Sequence, residues 1–149
     1  MGSSTRFRDE NKTALDFQSD VIVVCPKCSE KAFAKVNDTE KKVRLFCDHC
    51  GYNKEISTIV FFYGVTGNWQ FAAHVYFKAE LWLKMPFKDD EIFAYNYEHL
   101  DYLERYVTAN LREHKDRTHF TLLEKLPKFY HEAKNRKSLL KLIQKLKDK

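Results

Sequence analysis

The side chains best equipped for chemistry in this chain are its four cysteines. They fall within 26 residues as Cys25-Pro26-Lys27-Cys28 and Cys47-Asp48-His49-Cys50, with 18 residues between the pairs. A CxxC turn is tight enough for both sulfurs to face one ion, while nearby backbone N–H groups donate to the thiolates and disperse their charge. Two such turns complete a tetrahedral site with metal–sulfur bonds of about 2.3 Å, the geometry of structural zinc. Gly51 follows the second pair and accommodates the positive φ that closes the turn, and Ser29 holds the matching position after the first. Disulfides fit poorly with a chain that shows no export signal, and a redox CxxC has no use for a second pair. Iron accepts the same four thiolates, so the pattern points to one structural Zn2+ without separating it from iron. Four thiolates leave no open position for water, which argues against hydrolysis at the metal. The expected ligands are therefore Cys25, Cys28, Cys47 and Cys50, with His49 on the surface.

Frames for other chemistry are missing. With only 4 Gly and 3 Pro, the chain has neither the dinucleotide fingerprint nor a P-loop. His74, His99, His114, His119 and His131 are scattered, with no HExxH, no GxSxG and no recognisable carboxylate pair. Asp89-Asp90-Glu91 reads as a solvated turn. The expectation is a protein that is not an enzyme and has no small-molecule substrate.

The elements that must position the cysteines read as strands. Val21-Ile22-Val23-Val24 leads into the first pair, Ala32 to Val36 leaves it, Asn37-Asp38-Thr39-Glu40 is a turn, and Val43 to Phe46 leads into the second pair. This predicts a three-stranded antiparallel sheet clamped by metal. The motifs CPxC and CxxCGY, over residues 20–56, resemble a zinc ribbon of the transcription-factor-IIB type. That resemblance implies a module that binds nucleic acid or docks on protein, and it does not imply a reaction. The whole chain is similar to small uncharacterised bacterial zinc-ribbon-containing proteins with a strand-and-helix extension.

Residues 57–149 supply that extension. Ile56 to Tyr63 has strand character and ends at the turn-forming Gly64 to Asn68. Odd positions from Val75 to Phe87 are all apolar or small, which predicts one long strand, and Glu91 to Tyr95 returns beside it. Asn96 reads as an N-cap before a helix with Leu100, Leu103, Val107 and Leu111 on one face and core Tyr102 and Tyr106 beside them. Leu122, Leu123, Leu126, Phe129 and Tyr130 suggest a second helical segment, interrupted at Pro127. Ser138 to Lys147 reads as an amphipathic helix, with Leu139, Leu140, Ile143 and Leu146 inward. The expected architecture is α+β: an N-terminal ribbon continued by an antiparallel β-hairpin and packed by two or three C-terminal helices. Residues 1–19 read as a flexible arm, and the rest as one compact body.

Among 149 residues, 44% are hydrophobic and 15% aromatic, which excludes global disorder. The net charge is +5, but Arg112 to Lys149 alone carries 12 basic and 5 acidic side chains. A basic tail suits a polyanion. Lys27, Lys31, Lys42, Arg44 and Lys54 flank the cysteine pairs; Tyr76, Lys78, Trp82 and Lys84 share the mixed face of the expected long strand; Lys137, Lys141 and Lys145 line the last helix. Lysines neutralise phosphates and exposed aromatics stack on unpaired bases, so nucleic acid, either DNA or RNA, is the expected partner. The alternative is a protein-docking module or a regulatory subunit of a larger complex. No apolar run suits a membrane span or a secretory signal, so a cytoplasmic location without membrane attachment is expected.

Overall fold

The computed structural model describes residues 6–8, 17–68, 71–108, 111–113 and 126–149. Of the arm expected over residues 1–19, only residues 6–8 and 17–19 are described. Arg6–Arg8 forms β1, and Phe17 is buried, its ring stacked 4.7 Å from that of His99.

Alternation of small apolar and polar residues builds the sheet that carries the cysteines. β2 (Asp20–Val24), β3 (Lys31–Asn37), β4 (Lys42–Phe46) and β5 (Asn53–Ser57) pair antiparallel in that order. Val21, Val23, Ala32, Ala34, Val43 and Leu45 turn to one face and are fully buried. The turn between β3 and β4 is held by Asn37, whose Oδ1 accepts the Glu40 N–H at 3.1 Å. The sheet has four strands where the sequence predicts three. β5, with the sequence NKEIS, lacks apolar alternation and joins as an edge through backbone bonding to β4, in the register Leu45↔Lys54.

Past this sheet, β6 (Ile59–Phe62) and β7 (Val65–Asn68) form a hairpin. Its two turn residues, Tyr63 at φ 52° and Gly64 at φ 78°, match the mirror-image turn that suits strand twist.

The long strand expected from Val75 to Phe87 does not form. Val75–Phe77 is a single 3-10 turn, and Lys78 reverses the chain at φ 53°. The backbone of residues 80–82 then docks on β2 through Val24 N–H to Glu80 O at 2.9 Å and Trp82 N–H to Ile22 O at 3.0 Å. Regular pairing resumes only in β8 (Leu83–Phe87) and its partner β9 (Asp90–Ala94).

Asn96 caps α1 (Tyr97–Thr108) as expected, its Oδ1 accepting the His99 N–H at 2.8 Å. Its Nδ2 also donates to Asp20 O at 2.6 Å, which fixes the helix start to β2. The helix stops before Leu111, which falls in β10 (Leu111–Glu113), a parallel partner of β1. Of the next expected helix, Leu122 and Leu123 lie outside the described residues. Phe129 and Tyr130 are buried, but in a 3-10 turn, Lys128–His131. α2 (Arg136–Lys147) buries Leu139, Ile143 and Leu146 and leaves Leu140 half-buried.

Two apolar clusters result. The larger joins Phe17, Ile22, Leu83, Ile92 and the inward faces of α1 and α2, while the smaller holds Val21, Val23, Ala32, Ala34, Val43, Leu45, Ala73 and two cysteines. Successive residues of β2 alternate between them, so that strand couples the two halves.

Candidate metal centre and the basic–aromatic sheet face

The two cysteine turns are built alike. Ser29 and Gly51 donate their N–H groups to Cys25 O and Cys47 O, each at 2.9 Å, and Cys25 and Cys47 donate theirs to Glu30 O and Tyr52 O, each at 2.8 Å. Ser29 adopts φ 66° and Gly51 φ 79°, so the serine takes the left-handed conformation that glycine takes in the second turn. Local bonding of this kind leaves the sulfurs free to converge.

They do converge: Cys25 Sγ lies 3.6 Å from Cys50 Sγ, Cys28 Sγ lies 3.6 Å from Cys47 Sγ, and all four sulfurs fall within 4.8 Å of one another. A tetrahedron with 2.3 Å bonds has edges of about 3.8 Å, so four thiolates placed this way can hold one metal ion. The Lys27 and Cys28 N–H groups point at Cys25 Sγ, each at 3.4 Å. Burial pushes the Cys25 thiol up, but these two N–H donors, with the Cys50 and Cys28 thiols, bring it down to about 6. The Glu30 N–H lowers Cys28, yet burial and the three other sulfurs push it up to about 12. Four sulfurs this close cannot all carry charge without a cation among them, which is the electrostatic condition for a metal site. His49 is exposed, and among the described residues the cluster that could hold a metal ion consists of the four cysteines.

The second feature is the opposite face of the same sheet. The register aligns Lys35 with Arg44 and Phe33 with Phe46, so Lys31, Phe33 and Lys35 of β3 share a face with Lys42, Arg44 and Phe46 of β4. The two half-buried phenyl rings meet at 5.5 Å, tilted by 31°, with Phe33 packed against the larger cluster beside Ile22, and Lys35 Nζ stands 5.8 Å over the Phe46 ring. Lys31 Nζ donates to Tyr97 Oη at 2.9 Å beside them. Depressions flank Lys35 on both sides. One, of about 350 Å³, contains Phe33, Asn96 and Tyr97; the other, of about 780 Å³, contains Phe46, Lys42, Arg44 and Glu55. Glu55 pairs with Arg44 at 3.2 Å and with Lys42 at 3.7 Å. Exposed pairs of this type stabilise by at most about 1 kcal/mol, so both cations remain available to a stronger anion.

The other expected contact residues are dispersed. Lys27 is exposed in the first cysteine turn, and Lys54 is exposed on β5 but points to the face opposite Arg44. Tyr76, Lys78, Trp82 and Lys84 do not share a strand face. Tyr76 is half-buried against the smaller cluster, and its hydroxyl accepts the Phe71 N–H at 3.2 Å. Trp82 packs on the larger cluster with Lys149 Nζ 4.6 Å over its ring, and Lys84 lies 4.0 Å from Glu80. Lys137, Lys141 and Lys145 do form an exposed row along α2, one turn apart, whereas Lys147 is drawn to Glu104 and Asp101 of α1.

Phe33, Lys35 and Phe46 escaped the sequence reading. The signal was present: with Asn37 to Glu40 as the turn, residues Ala32 and Ala34 on one face put Phe33 and Lys35 on the other, and antiparallel pairing brings Phe46 opposite Phe33. Among the described residues no helix is long and apolar enough to cross a membrane. Comparison of the chain with protein-family models, with curated proteins and with solved structures found no match.

Proposed function

We propose that this chain is a non-catalytic module in which one zinc ion, held by Cys25, Cys28, Cys47 and Cys50, stabilises a zinc ribbon whose basic–aromatic sheet face binds single-stranded nucleic acid. The observation that carries this reading is the Phe33–Phe46 ring pair with Lys31, Lys35, Lys42 and Arg44 around it. Bases stack on aromatic side chains whatever their sequence, and neighbouring cations neutralise the phosphates between them. A sheet face is too broad for a duplex groove, and its depressions on both sides of Lys35 suit splayed bases. The α2 row of Lys137, Lys141 and Lys145 adds cations that a longer strand reaches. Zinc is preferred to iron because four thiolates in a closed tetrahedron are its usual structural setting.

The test is fluorescence anisotropy with a labelled single-stranded oligonucleotide across a salt series. Four phosphate contacts give a log–log slope of about −3. Removing one ring in Phe33→Ala or Phe46→Ala weakens binding about tenfold, by the stacking energy of one base. Glu55→Gln, which frees Lys42 and Arg44, strengthens it. Binding unaffected by either phenylalanine refutes the assignment of this face.

A second reading, docking on protein, is favoured by the uncharged hairpin of β6 and β7, where Phe61 stands in solvent.

A further inference from the structure

Residues 56–73 contain no Asp, Glu, Lys, Arg or His, in a chain in which 32% of residues are charged. This stretch includes the hairpin of β6 and β7, and it is the part of the described surface richest in apolar groups. Phe61, Tyr63 and Val65 are 72%, 87% and 56% exposed, and Ile59 is exposed as well. The register places Ile59 and Phe61 on one face and Val65 on the other, so both faces are apolar. Among the described residues, neither outer edge of this two-stranded sheet is paired. An open strand edge flanked by exposed aromatic side chains templates pairing with another strand, and monomeric proteins ordinarily blunt such edges with charge.

We propose that this hairpin is a self-association element, pairing edge to edge across a two-fold axis with the same hairpin of a second copy of this chain. The inference deepens the docking reading and does not depend on nucleic-acid binding. Charge selects the occupant. Two copies with a net charge of +5 each repel over most of their surfaces. Like charges set opposite one another destabilise a strand pair, and the outer strands β5, β8 and β9 all carry charged side chains; β6 and β7 carry none. A polyanion finds no cation here, which separates this surface from the basic sheet face. A two-fold pairing is self-complementary, since the same side chains meet their own counterparts. Edge-to-edge pairing covers only part of the exposed apolar side chains, less than the roughly 1,200 Å² of a standard interface, so the dimer is weak.

Sedimentation velocity of the metal-loaded full chain, from about 1 μM to about 1 mM, reads the association. The expected result is a reversible monomer–dimer equilibrium with a dissociation constant in the micromolar range, unchanged or tightened by added salt. Phe61→Thr and Val65→Lys each keep the turn and the strand backbone and are expected to weaken the dimer at least tenfold, with metal content and far-ultraviolet dichroism retained as the check on folding. A monomer throughout overturns the inference while leaving docking on a different protein intact. A dimer insensitive to both substitutions, or one dissolved by salt, places the contact elsewhere and also overturns it. A monomer that co-sediments with phosphatidylcholine vesicles, an association that Phe61→Thr abolishes, assigns the surface to lipid and overturns it as well.

Discussion

Removing the metal, or replacing Cys47 with Ser, tests how far the cysteine-bearing sheet depends on its ion. The apolar cluster behind that sheet is small: apart from the cysteines its buried members are Val21, Val23, Ala32, Ala34, Val43, Leu45 and Ala73, three of them alanines. Structural zinc in isolated fingers contributes about 10–16 kcal/mol of apparent folding free energy, comparable to the whole stability of a typical domain. Divided over four bonds this is about 3 kcal/mol for each thiolate, and a loss of that size lowers the unfolding midpoint by about 10 °C in a chain of this length. The larger cluster, containing Leu103, Tyr106, Leu139, Ile143 and Leu146, includes none of the ligands. Cys47→Ser should therefore lower the midpoint by about that amount, and full chelation should release β3 to β5 ahead of the helices. Hydrogen exchange read by mass spectrometry distinguishes the two halves: residues 31–57 lose protection and the buried turns of α1 and α2 keep it. Retained protection of β3 to β5 in the metal-free chain refutes the dependence. Simultaneous loss in both halves refutes the separation of the two clusters.

His99 gives a pH signature. Burial holds its imidazole down to about 4, and its Nδ1 accepts the Tyr95 N–H at 3.0 Å, a bond that protonation abolishes. The unfolded chain binds this proton near pH 6.5, so the stabilisation is complete above that pH and is lost as pH falls towards 4, by about 3 kcal/mol in all. The urea midpoint should fall over that window, and less so in His99→Phe, the difference between the two separating His99 from acid release of metal. Leu139→Ala, at a fully buried position of α2, should cost about 2–5 kcal/mol in urea unfolding. Asn96→Ala removes the α1 cap and the bond to Asp20 O, and thermal unfolding should show a loss of about 1–2 kcal/mol.

Much of the fold could be read locally. Period-two patterns around Ala32-Ala34 and Val43-Leu45, the Asn37 turn, the Asn96 cap and the leucine spacing of α2 each depend on neighbours in sequence, and each holds. The failures come from distant partners. The alternation over Val75 to Phe87 was compatible with a strand, but Val23 pairs with Leu81 and β2 captures the backbone of residues 80–82, leaving the preceding residues to a tight turn at Lys78. β5 was missed because its polar side chains say nothing about an edge that backbone bonding alone secures. The cysteine cluster was legible because two CxxC pairs encode their own geometry. The basic–aromatic face was half legible: Lys31, Lys42 and Arg44 stood out by charge, but Phe33 and Phe46 read as ordinary strand residues until the register set them side by side.

The central claim, that the basic–aromatic sheet face binds single-stranded nucleic acid, is tested most directly by one anisotropy titration. It compares the metal-loaded chain with its Phe33→Ala/Phe46→Ala double variant on a labelled single strand and on a duplex of the same sequence. The account predicts salt-dependent binding that favours the single strand and falls about a hundredfold or more in the double variant. Equal binding by the two proteins, a preference for duplex, or no binding at low salt would contradict it.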